Sequence, residues 1–149
     1  MNSQIFYIPE KEPRLIEGNS FTWDVGAGLV TAEHTKLILH NHPLDRGWTF
    51  YGRTGSGSEC THFSFKLFIP YAGDEVLDAT YTHEGGLSFS HLYSGTLPDF
   101  YRLATTKSAE LTIKLDPRRG TATGNFTALI EKEGQEMRPT GAFELIRDQ

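Results

Sequence analysis

Alternation of apolar and polar residues with a period of two runs through most of this chain, and it constrains the fold more than any other sequence feature. Between Glu110 and Asp116, the residues Leu111, Ile113 and Leu115 alternate with polar neighbours. Successive side chains of a β-strand point to opposite faces of the sheet, so this period indicates strands with one buried and one solvated face. We therefore expect an all-β protein.

The same pattern recurs along the chain and assigns core-facing residues in each segment. They are Phe21, Trp23, Val25, Ala27 and Leu29; Phe63, Phe65, Leu67 and Ile69; Ala122, Gly124, Phe126, Ala128 and Ile130; and Gly141, Phe143 and Leu145. Turns containing proline and glycine separate the segments. We expect about nine or ten strands and at most one short helix, Leu97–Ser108, in which Pro98 suits a helix start.

Strands of this kind form either a closed barrel or a two-sheet sandwich. The mostly short connections favour a single antiparallel β-barrel, and the two-sheet β-sandwich is the alternative. Gly26, Gly28, Gly124 and Gly141 fall inside the expected strands, where glycine eases the bending that a barrel requires. The chain has 149 residues, a length that suits one all-β domain over residues 1–149.

The end of the chain carries a repeated pattern, because Thr123–Phe126 and Thr140–Phe143 both read T-G-x-F. This pair resembles the closing hairpin of some uncharacterised bacterial lipocalin-like barrels. The resemblance implies a calycin-like (lipocalin-like) β-barrel, and no catalytic residue comes with it.

Charge and composition exclude several classes of partner. The net charge of -5 argues against nucleic-acid binding, which needs a basic surface, and the Arg118-Arg119 pair suits a solvated turn. No apolar run approaches the roughly 20 residues of a membrane helix, so we expect no membrane partner. The single cysteine, Cys60, and an N-terminus without a signal-peptide pattern favour a cytoplasmic protein.

Two histidines, His40 and His42, form the weak candidate for a metal site. They share one face of an expected strand, about 6.5 Å apart along it. Two imidazoles in this arrangement can begin a zinc tripod, and His62 or Cys60 are expected to face outward as a third ligand. No third ligand follows at a fixed spacing, so we favour a polar strand face and expect no cofactor.

A second group of residues predicts an inner wall. Phe89, His91 and Tyr93 share one face, and a loop at Glu84–Gly86 is expected to pair Tyr81 with Phe89 in a hairpin. The predicted wall contains Trp23, Phe65, Tyr81, His83, Phe89, His91, Tyr93 and Phe126. Because a buried imidazole needs a partner, His91 either bonds a tyrosine or a carbonyl in a packed core or orients a ligand in a cavity.

These residues indicate a non-enzymatic binding protein that holds a small apolar or aromatic ligand in a barrel cavity. The alternative is a protein-interaction module with a solid core, such as an inhibitor or an immunity-type partner. A metal-dependent enzyme at the His40 and His42 face is the least favoured function.

Overall fold

The computed structural model describes residues 18–148, so our interpretation of the N-terminal residues lies outside the described part of the chain. This part is all-β and forms two antiparallel sheets without a closed barrel. The all-β prediction and the two-sheet alternative are therefore confirmed, and the prediction of a closed barrel is wrong. Within residues 18–148, no helix is long and apolar enough to cross a membrane.

The strands are β1 (Ser20–Asp24), β2 (Leu29–Thr31), β3 (His34–His40), β4 (Gly47–Thr54), β5 (Phe63–Pro70), β6 (Leu77–Thr82), β7 (Ser88–Ser94), β8 (Tyr101–Leu103), β9 (Thr105–Asp116), β10 (Thr121–Lys132), β11 (Gln135–Met137) and β12 (Thr140–Ile146). The larger sheet has the order β2-β1-β12-β10-β9-β6, and β11 pairs with β10. The smaller sheet has the order β3-β4-β5-β7-β8. One short 3-10 turn, His83–Gly85, separates β6 from β7.

The core lies between the two sheets, and period-2 alternation correctly identifies its main contributors. Leu111, Ile113 and Leu115 of β9 are all buried, while the residues between them are exposed. On the opposite sheet, Phe65 and Leu67 of β5 are fully buried. The two inner faces together bury one continuous cluster of apolar side chains, as expected for a sandwich.

The repeated T-G-x-F pattern has a packing explanation in the pairing of β10 with β12. Gly124 lies opposite Phe143, and Gly141 lies opposite Phe126. A Cβ atom added at Gly141 would lie 2.2 Å from the Phe126 ring, and one added at Gly124 would lie 2.7 Å from the Phe143 ring. Each glycine therefore leaves space for the phenylalanine of the other strand, and neither is needed to bend a barrel.

The expected strand from Phe21 to Leu29 is instead a hairpin of β1 and β2. Gly26 and Gly28 have φ values of 104° and 107°, a backbone conformation that glycine adopts without a steric penalty. The Gly26 amide donates to the Asp24 carboxylate at 2.7 Å, which fixes the turn. Leu29 is consequently 72% exposed, and its predicted place in the core is wrong.

Two other predictions of local structure are wrong because the chain changes sheets. β6 pairs with β9 and β7 pairs with β5, so the expected hairpin between β6 and β7 does not form. The expected helix Leu97–Ser108 is replaced by β8 and the start of β9. There the Ala104 amide donates to the His91 carbonyl at 3.0 Å as the chain passes from one sheet to the other.

The end of the described chain covers one edge of the smaller sheet. The Asp148 amide donates to the Leu37 carbonyl at 2.9 Å, and the Leu37 amide donates to the Asp148 carboxylate at 3.3 Å. These two bonds satisfy backbone groups on the outer edge of β3. They also hold the end of β12 close to the smaller sheet.

Candidate functional site

Most residues of the predicted inner wall lie together, and their side chains form a packed core. Trp23, Phe65, Phe89, His91, Tyr93 and Phe126 are all buried. The ring centroid of Phe65 lies 5.2 Å from that of Trp23, 4.7 Å from that of His91 and 5.8 Å from that of Phe126. These are contact distances for aromatic rings, so the side chains pack on one another across the space between the sheets.

The other two predicted wall residues lie apart from this cluster. Tyr81 is only partly buried, on β6 at the end of the larger sheet. His83 is exposed in the 3-10 turn, so its predicted place on the inner wall is wrong. Both differences follow from the pairing of β6 with β9, since the expected register required β7 as its neighbour.

His91 is neutral and fixed in one tautomer. Its Nδ1 lies 2.9 Å from the Ser64 carbonyl oxygen, which only accepts, so Nδ1 carries the proton and donates. Its Nε2 is then the acceptor, and it faces the Lys132 Nζ at 3.5 Å. Burial lowers the pKa of His91 to about 4; the hydrogen bond to Ser64 acts in the opposite direction, and the Lys132 charge adds to the lowering.

Lys132 is a member of this cluster that the sequence pattern did not identify. Its ammonium lies 4.1 Å from the Tyr93 ring centroid and 4.7 Å from the Phe63 ring centroid, within the range of cation–π attraction. Burial lowers the pKa of Lys132. The sequence signal was present, because Lys132 shares the parity of the inner-face residues Ala128 and Ile130 at the end of β10.

His62 and Ser64 form a hydrogen-bonded pair that resembles a base and a nucleophile. The His62 Nε2 lies 2.9 Å from the Ser64 Oγ. Both side chains are buried, which corrects the expectation that His62 faces solvent. Among the residues that the structure describes, its Nδ1 has no hydrogen-bond partner that would orient it as a base, and burial together with the Arg53 charge lowers the pKa of His62 to about 4. The pair therefore lacks the access and the third group of a catalytic triad.

The weak metal candidates His40 and His42 lie on an exposed part of the chain. The His40 Nε2 forms a hydrogen bond of 2.8 Å with the Thr49 hydroxyl. Over residues 18–148, no three histidine, cysteine or acidic side chains are grouped so that they hold a metal ion. Of the two expected third ligands, His62 is buried and Cys60 is partly buried.

A cleft in the surface lies where the β9–β10 turn meets the end of β12. It has a volume of about 360 Å³, and it is lined by Arg118, Arg119, Gly120, Ile146, Arg147 and Asp148. We call it the arginine cleft. Three of its six lining residues carry a guanidinium, although the chain as a whole has a net charge of -5.

Local hydrogen bonds fix the backbone of the turn that supplies two of these arginines. The Asp116 carboxylate accepts from the amides of Arg118 and Arg119 at 3.2 and 3.1 Å, an arrangement that favours aspartate at the start of a turn. Gly120 closes the turn with a φ of 69°. The Arg147 amide then donates to the Gly120 carbonyl at 2.7 Å, which joins the turn to the end of β12.

The guanidinium groups of the arginine cleft are weakly compensated by carboxylates. Arg118 lies 3.8 Å from Glu75, but both side chains are largely exposed, and such pairs contribute little. Over residues 18–148, neither Arg119 nor Arg147 forms an ion pair. The Asp148 carboxylate also lines the cleft, although it accepts from the Leu37 amide. The cleft thus presents more positive than negative charge.

Sequence reasoning assigned Arg118 and Arg119 to a solvated turn and did not consider Arg147. The three arginines converge because Thr121 pairs with Ile146, which places the β9–β10 turn beside the residue that follows β12. This contact links positions far apart in the sequence, and no local pattern indicates it. The signal that was available is the presence of two adjacent arginines in a turn and a third after the last strand of an acidic protein.

Comparisons with protein-family models, with curated proteins and with solved structures found no match for this chain.

Proposed function

We propose that this protein is a non-enzymatic protein-interaction module that binds an acidic, extended segment of a partner protein in the arginine cleft. The observation that carries the proposal is the convergence of Arg118, Arg119 and Arg147 on one cleft of about 360 Å³ in a chain of net charge -5. The single cysteine supports a cytoplasmic location for this interaction.

The chemistry of the guanidinium group indicates which ligand the cleft selects. Each guanidinium offers planar, paired donors that match the two oxygens of a carboxylate. Arg119 and Arg147 form no ion pair among the described residues, although the Arg147 guanidinium also lies 5.8 Å from the Trp48 ring centroid. A carboxylate can pair with the in-plane donors of either guanidinium. The fixed turn backbone reduces the entropy lost when the ligand binds.

The charge distribution favours an acidic protein segment over a nucleic acid. A polyanion as long as a nucleic acid would extend beyond the cleft onto a surface whose overall charge is negative, which opposes binding. A short run of aspartate or glutamate residues places its charge within the cleft alone. We therefore expect a ligand with a few adjacent carboxylates.

Titration of a fluorescent glutamate-rich peptide, followed by anisotropy at several salt concentrations, tests the proposal. Arg147→Gln and Arg119→Gln should each weaken binding about 10-fold or more, the range of a charge-assisted hydrogen bond. The matched control is Arg138→Gln, because Arg138 is exposed at the opposite end of β12. Equal affinity for the wild-type protein and both cleft variants would contradict the proposal.

The second function that we propose is that of a small-ligand carrier, similar to a lipocalin-like domain. The observation that favours it is the polar group at one end of the aromatic cluster, where the Lys132 Nζ meets the His91 Nε2. An apolar or aromatic ligand with an acidic group would displace the Lys132 side chain from the Phe63 and Tyr93 rings and pair with its ammonium.

Binding of an apolar fluorescent probe distinguishes the two candidates. If the chain is a carrier, it should bind one probe per chain, with an affinity that changes in His91→Phe. If it is not a carrier, the folded chain should bind no probe. The arginine cleft variants should leave probe binding unchanged, since they lie outside the aromatic cluster.

A further inference from the structure

The strand β6 is an exposed edge of the larger sheet with little protection against the addition of another strand. It pairs with β9 on one side, and within residues 18–148 no strand pairs with its other side. Its sequence, LDATYT, contains no proline and no lysine, the residues that most often blunt an exposed edge. An edge of this kind offers a row of backbone donors and acceptors to another strand.

The other edges of the two sheets are better protected. β3 carries the polar or charged residues His34, Lys36 and His40, and Asp148 covers its backbone at Leu37. The remaining edge strands, β2, β8 and β11, have three residues each, too few to pair strongly with another strand. Among the described strands, β6 is therefore the exposed edge that is long enough and open enough for strand addition.

The inner face of β6 is also incompletely buried. Leu77, Ala79 and Tyr81 point towards the core side of the sheet but are only partly buried, while Asp78, Thr80 and Thr82 are exposed. Another strand beside β6 would cover these three inner side chains. Removal of this apolar surface from water would stabilise the added strand.

We propose that β6 pairs antiparallel with β6 of a second copy of this chain, with the two-fold axis at Ala79. In this register Leu77 lies opposite the partner's Tyr81, which forms an apolar pair on each side of the axis. On the outer face Asp78 lies opposite the partner's Thr80, so the two aspartates do not face each other. Thr82, whose carbonyl already accepts from the Leu87 amide, stays outside the paired region.

A second copy of the chain is the favoured partner of β6, because the strand is self-complementary in this register. Antiparallel partners must keep inner residues opposite inner residues, which places the axis at a residue and not between two residues. An axis at Asp78 would bring the two aspartates face to face, which leaves Ala79 as the favoured position. The axis at Ala79 pairs the bulky Leu77 and Tyr81 with each other and meets no like-charge contact. The paired area is small, so we expect an equilibrium between monomer and dimer at micromolar concentrations.

Sedimentation equilibrium of the full chain over a range of concentrations tests this proposal, together with two substitutions at one position. Thr80→Lys places a positive charge opposite the partner's Asp78 and should tighten the dimer, whereas Thr80→Asp should weaken it. Two cross-strand pairs change at once, so each effect is about 2- to 30-fold in Kd. The controls are Thr112→Lys and Thr112→Asp, which change the net charge equally on the same face, one strand inward at the position paired with Thr80.

A monomer at every concentration would overturn the proposal and would leave the β6 edge to a strand from a different protein. A dimer that responds equally to the substitutions at Thr80 and at Thr112 would overturn it as well, because only overall charge would then matter. The cleft variants at Arg119 and Arg147 should leave the dimer unchanged. Failure of this proposal is therefore distinguishable from failure of the arginine cleft proposal.

Discussion

Acidification should destabilise this protein through its two buried neutral histidines, His62 and His91. Burial is the main cause that lowers both pKa values to about 4 from the ordinary value of 6.5. A group whose pKa is lower in the folded state than in the unfolded state binds protons mainly after unfolding. The stability contributed by each neutral imidazole is therefore complete above pH 6.5 and is lost as the pH falls from 6.5 to 4.

The size of the effect follows from the two pKa values. At pH 5 protonation of one such histidine shifts the folding equilibrium about 30-fold towards the unfolded chain, which corresponds to about 2 kcal/mol for each histidine. The two together lower the free energy of unfolding by about 4 kcal/mol between pH 7 and pH 5, a large part of the stability of a typical domain.

Urea unfolding at pH 7, 6 and 5 measures this dependence, and His91→Phe isolates one histidine. The variant loses stability at pH 7, because the Ser64 carbonyl loses its donor. Its decrease in stability from pH 7 to pH 5 should be about half that of the wild-type protein. His83→Phe is the control, because His83 is exposed. Equal pH dependence in His91→Phe and the wild-type protein would refute the reasoning.

Three further predictions concern packing and metal binding. Ile113→Ala should lower the free energy of unfolding by about 2–5 kcal/mol and Thr112→Ala by much less, since Ile113 is buried and Thr112 is exposed; equal effects in urea unfolding would contradict the assigned faces. Gly141→Ala should cost about 1–3 kcal/mol in the same assay, because the new methyl group overlaps a buried ring; unchanged stability would show that this ring moves freely. Protein purified without a tag should hold no tightly bound zinc by elemental analysis, and one equivalent that disappears in the double variant His40→Ala, His42→Ala would contradict this.

The faces of individual strands could be predicted from the sequence because they depend on local alternation. Ile113 and Phe126 were placed correctly inside for this reason. The partner of each strand could not be predicted so well. The Gly85-Gly86 loop suggested that β6 and β7 form a hairpin, but the chain crosses to the other sheet there, and the pairing of β6 with β9 depends on contacts between distant residues.

The candidate site depends even more on long-range contacts. His91 was correctly placed on an inner face by its alternation with Phe89 and Tyr93, yet the sequence did not indicate that Lys132 lies against it. The arginine cleft forms only when the turn after β9 is held beside the end of β12. Neither contact has a signature within a single stretch of sequence.

The NMR signals of the arginine side chains test the central claim most directly. On addition of a glutamate-rich peptide, the Nε–Hε signals of Arg118, Arg119 and Arg147 should shift together and saturate at one peptide per chain. Arg138, which is exposed elsewhere on the surface, should not respond. Shifts of the same size at Arg138, or no shift at the three cleft arginines, would contradict the account.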